Sequence, residues 1–124
     1  NGTLPEEDSD NWPQTRKRLL EHRDAMRRAA VGFRSQILSA NREIREADQH
    51  QAELEDIRKD PFMTPDQLNE LERDYQESLD WEADIRTRQG RLEAMAKAAD
   101  QAADNVERHV ELGDEVYNAK RKSA

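Results

Sequence analysis

Cysteine is absent from the 124 residues, which excludes disulfides and thiolate metal sites and leaves the redox compartment open. Aromatic residues make up only 5% and hydrophobic residues 34%. So little apolar material cannot fill a thick globular core against a backbone entropy cost of roughly 1–2 kcal/mol per residue. No apolar run approaches the roughly 20 residues of a membrane span. The start of the chain lacks the basic, apolar and small-residue pattern of a secretory leader. The lack of a span leads us to expect a soluble chain; its compartment is left open, with the cytoplasm favoured. The first residue, Asn1, is expected of a fragment or processed chain, and Asn1-Gly2-Thr3 matches a glycosylation sequon. Proline and glycine are scarce at four each, so long helices meet few interruptions.

What the chain has in abundance is charge: 39% of residues, with a net charge of −8. Such a composition fits either disorder or elongated helices that bury a narrow apolar stripe. The periodicity decides for helices. Leu19, Met26, Phe33, Ala40, Ala47 and Leu54 recur at one heptad position (d), with Ala30, Ile37, Ile44 and Gln51 at another (a). A second series places Leu71, Ser78, Ile85, Leu92, Ala99 and Val106 at d, and Leu68, Tyr75, Ala96, Ala103 and Val110 at a. Between the two lies Lys59-Asp60-Pro61-Phe62-Met63-Thr64-Pro65. Proline disfavours helix at the residue before it, and Thr64-Pro65-Asp66 reads as a cap, a first helical proline and an acid suited to the helix dipole.

The spacing therefore predicts an all-α fold, a long antiparallel two-helix coiled-coil hairpin. Residues 1–13 form an acidic flexible tail, with Ser9 or Asp10 as a possible cap. A single hairpin domain spans 14–122, with helix 1 over about 14–58, a turn at 59–64 and helix 2 over about 65–122. A break near Gly90 would instead give a three-helix bundle of the spectrin-repeat kind. Folding the heptads about Pro61 pairs Ile37 with Ile85, Leu19 with Ala103, Leu54 with Leu68 and Trp12 with Val110. It also places Glu82 opposite Ala40 and Gln89 opposite Phe33, polar residues that fix register at some expense of stability. Helix 2 should then outrun helix 1 beyond Val110, with Leu4 of the tail or another chain covering the excess.

Charge is unevenly distributed. Residues 16–34 hold seven basic and two acidic residues, while 100–116 hold six acids and only Arg108 as a base, so the two stretches complement each other across an antiparallel seam. Residues 66–84 hold eight acids against Arg73, making the turn end acidic. The basic stretch has two readings. Arg16, Lys17, Arg18, Arg23, Arg27 and Arg28 either flank the seam and pair with helix 2, or face an anionic membrane surface. Nucleic acid is not expected as a partner, because most of the surface repels it and no aromatic platform accompanies the arginines.

Catalytic signatures are missing: there is no Gly-rich phosphate loop, nucleophile elbow, His-Glu-x-x-His or calcium loop. Glu46 and His50 share a helix face, which suits a metal or a plain solvent-exposed pair. No enzyme activity, cofactor or metal is expected. The function expected is that of a helical protein-interaction or assembly module, a scaffold or spacer within a larger protein or complex. The contacts expected to carry it are Leu20, Leu38, Phe62, Met63, Leu79, Trp81, Leu112, Val116 and Tyr117, apolar residues off the seam or at the turn and the far end. Val31 and Met95 also fall off the seam. The partner expected is a second copy, giving a homodimer, or a helical hetero-partner. Peripheral binding to an anionic membrane is the alternative.

Overall fold

The computed structural model describes residues 11–123. It is all-helical among these residues: α1 runs Trp12–Ile57 over 46 residues and α2 runs Pro65–Lys122 over 58. The two helices pack against each other as an antiparallel hairpin. Asn1-Gly2-Thr3, Leu4, Ser9 and Asp10 lie outside the described residues. The tail expected over 1–13 is too long, since Trp12 and Pro13 already belong to α1. The carbonyl of Asn11 accepts from the amides of Gln14 and Thr15, both at 3.1 Å, and proline is tolerated in a first helical turn where its missing N–H has no intrahelical role.

The connection follows from local chemistry. Asp60 Oδ1 accepts from the Phe62 amide at 3.0 Å, closing a turn around Pro61. Thr64 and Gln67 then form a reciprocal capping box. The Gln67 amide donates to Thr64 Oγ1 at 3.2 Å, and the Thr64 amide donates to Gln67 Oε1 at 3.0 Å. The split at Gly90 considered as an alternative does not occur: α2 is one helix through it, because no proline or cap stops the helix there.

The chain divides into two compact units. In the turn unit, residues 33–94, Ala40, Ile44 and Ile85 form a buried cluster. Ile85 thus meets Ile44, one heptad beyond the Ile37 expected for it. Ser78 shows the same displacement, accepting a hydrogen bond from Gln51 Nε2 at 3.3 Å where Ile44 was expected. Slipping by one heptad keeps every a and d residue on the seam, so the apolar pattern alone does not choose between the two registers. Polar matching does. The observed register lets Gln51 and Ser78 satisfy each other and joins Gln89 to Asn41, whereas the expected one sets Ser78, Gln89 and Glu82 against apolar partners.

The open-end unit, residues 11–32 and 95–123, is closed by Trp12. Its side chain is 1% exposed and lies over Gly113, where an added Cβ would come within 2.0 Å of the indole. Trp12 Nε1 donates to Asp114 Oδ1 at 2.7 Å. Trp12 was expected opposite Val110 and sits almost one turn further along α2. The overhang expected beyond Val110 is correspondingly shorter, and Val116 and Tyr117 are half-buried. Ala30, Ala96, Ala99, Ala103 and Val110 are buried in the unit's interior, small residues that let helices approach closely.

Candidate interaction surfaces

In the open-end unit the basic stretch is divided by function. Arg27 Nη2 lies 2.7 Å from Glu107 Oε1 and 3.2 Å from Asp104 Oδ1. Those hydrogen bonds to Glu107 and then Asp104 hold its guanidinium above its ordinary pKa, with burial acting weakly against them. Arg23 reaches Glu107 at 3.6 Å and Asp24 at 2.9 Å, and Arg16 Nε donates to Asp114 at 3.1 Å. Three of the six cations read as a candidate anionic-surface patch therefore turn onto acids of their own hairpin. Lys17, Arg18 and Arg28 remain exposed on α1. Val31, one turn from Arg28, is 66% exposed.

The turn unit is the acidic one. Residues 33–94 carry sixteen acids and nine bases, whereas 12–32 together with 95–122 carry eight acids and eleven bases. A groove of about 420 Å³ is lined by Glu46, Ala47, His50, Asp74, Glu77, Ser78 and Trp81. The helix-face neighbours Glu46 and His50 thus acquire two further carboxylates and an indole from α2. No group of three metal-ligating side chains is assembled among the described residues. A second groove is lined by Asp66, Gln67, Asn69, Glu70 and Arg73 on the first turns of α2.

Glu82, expected on the seam opposite Ala40, lies instead against Asp48. Its Oε1 is buried with no donor to meet it while both carboxylates are ionised, and Arg86 stands 3.8 Å from the other oxygen. Sharing a proton with the Asp48 carboxylate raises the Glu82 pKa, burial and the negative charge of Asp48 raise it further, and Arg86 opposes them.

Of the nine apolar contacts expected, Leu38, Phe62, Trp81 and Leu112 are exposed, Phe62 at the turn by 88%. Leu20, Met63, Leu79, Val116 and Tyr117 are half-buried. Tyr117 also carries the Arg121 guanidinium 5.7 Å above its ring. Ile57, exposed at the end of α1, was not singled out from the sequence, where its place just before the turn hid it among capping residues. No helix among the described residues is long and apolar enough to cross a membrane. The chain matches no family model, no curated protein and no solved structure, so its function is read from this geometry alone.

Proposed function

We propose that this chain is a non-enzymatic protein-interaction or assembly module, a coiled-coil hairpin that self-associates through the faces its own seam leaves uncovered. One observation carries this reading. Seven large hydrophobic side chains are exposed (Val31, Leu38, Ile57, Phe62, Trp81, Met95 and Leu112), as many as the seven larger than alanine that are buried. A hairpin that stood alone would gain nothing from placing seven of its scarce large apolar residues in water, whereas covering them on association is favourable at roughly 25 cal/mol per Å². Scaffold and spacer roles follow from the same faces. The membrane-surface reading is weaker, because Arg16, Arg23 and Arg27 are engaged by acids of α2.

Replacing Leu38, Leu79 and Trp81 with polar residues tests the proposal. Helicity by circular dichroism should persist while the oligomer measured by light scattering after gel filtration loses mass. A wild-type chain that stays monomeric at every concentration, with a melting temperature independent of concentration, refutes it.

A further inference from the structure

Exposed charges on the two units match each other at three of four charged positions along one pair of stripes. On α1 of the open-end unit, Lys17, Glu21, Asp24, Arg28 and Val31 follow one another at helical intervals of three and four, all exposed. On α2 of the turn unit, Asp66, Glu70, Arg73, Glu77 and Trp81 do the same at nearly identical intervals. Set side by side in the same chain direction, Lys17 meets Asp66, Asp24 meets Arg73, Arg28 meets Glu77, and Val31 comes level with Trp81. Glu21 against Glu70 is the single like-charged pair. None of these α2 side chains makes a described ion pair within its own hairpin, and both acidic grooves border the stripe.

We propose that the occupant of this acidic α2 stripe is the mixed-charge α1 stripe of a second copy, with the Arg28 guanidinium entering the groove formed by Glu46, Asp74 and Glu77 and Val31 resting on the Trp81 indole. The assignment rests on the self-association reading above and names the surface that carries it. Two features single out a second copy. Of the three cations that its own α2 does not engage, Lys17 and Arg28 fall at the positions where the acidic stripe needs them. Of the two acids on the α1 stripe, Asp24 falls opposite the only base of the acidic stripe, Arg73. A generic basic helix would have no reason to carry that inversion. Patterned charges of this kind set partner and register, while the apolar contact supplies the dry centre. Because every ion pair is exposed, the association must weaken as salt shortens the screening length.

Charge exchange between copies tests the proposal. Sedimentation equilibrium on the full chain should show reversible association that falls with salt. Arg28→Glu alone and Glu77→Arg alone each turn attraction into repulsion and should raise the dissociation constant about tenfold. An equimolar mixture of the two variants should regain association, since both contacts between unlike copies then pair opposite charges. Arg28→Gln should fall between wild type and Arg28→Glu, and unchanged circular dichroism in all variants shows that folding is not what changed. Wild-type association that the reversals leave untouched overturns this stripe while the self-association reading stands. A wild type that is monomeric throughout overturns both, as does a monomer that binds an arginine-rich helical peptide but not itself.

Discussion

Gly113→Ala is the perturbation that separates packing from helix propensity in this hairpin. In the interior of an exposed helix, alanine in place of glycine is favourable by roughly 1 kcal/mol. Here the new methyl would lie 2.0, 2.3 and 2.5 Å from three ring carbons of Trp12, far inside the 3.5–4.0 Å of ordinary carbon contact. Alanine has no rotamer to change, so the indole must leave. A tryptophan side chain buries roughly 150–250 Å², equivalent to about 4–6 kcal/mol at 25 cal/mol per Å², and a displaced ring recovers part of that elsewhere. The hydrogen bond from Nε1 to Asp114, made to a charged acceptor at 2.7 Å, is lost as well. After the gain in propensity, the net expectation is a destabilisation of about 2–4 kcal/mol. Urea denaturation followed by circular dichroism measures it. In a Trp81→Phe background Trp12 is the sole tryptophan, and its emission should shift to the red in Gly113→Ala. A variant more stable than its parent, with unshifted emission, would refute the reasoning.

Glu82 links the turn unit to pH. Its pKa is raised in the folded chain, so its stabilising contribution is fully present below the unfolded carboxyl pKa and is lost as pH rises through the folded value. Stability should therefore increase when pH falls from neutral toward the ordinary carboxyl range, before other carboxylates protonate. Glu82→Gln should raise the urea midpoint at pH 7 and flatten that increase, while an unchanged pH profile would contradict the role given to Asp48. Thr64→Ala removes the hydroxyl half of the capping box and should cost about 1 kcal/mol by the same denaturation assay.

The boundaries of the helices were legible because they rest on local chemistry: Asp60 before Pro61, then Thr64-Pro65-Asp66, act within a few residues of themselves. Continuity through Gly90 was legible for the same reason, since one glycine weakens a helix without ending it. The axial register was not. A heptad repeat specifies which residues face the partner and is blind to a slip of seven, so the pairing of Ile85 with Ile44 rather than Ile37 needed the polar pair Gln51 and Ser78 as arbiter. The place of Gly113 in the packing was hidden for a related reason. Its value depends on Trp12, about a hundred positions away, and nothing local to Leu112-Gly113-Asp114 announces that contact. The division of the basic stretch was half legible: counting complementary acids anticipated pairing, but only the structure separates Arg16, Arg23 and Arg27 from Lys17, Arg18 and Arg28.

The assignment of seam and outer faces depends on one claim, that a single chain folds back on itself in this register, and chemical crosslinking tests it most directly. The chain has no native cysteine, so a pair introduced at Arg27 and Asp104, whose side chains approach to 3.2 Å, gives an unambiguous product. With a short bis-maleimide reagent the pair should crosslink within one chain, at a yield independent of protein concentration, while a pair at Arg27 and Lys97, which the register one heptad away would bring together, should not. Crosslinks formed only between chains, or a preference for Arg27 with Lys97, would contradict the hairpin as described.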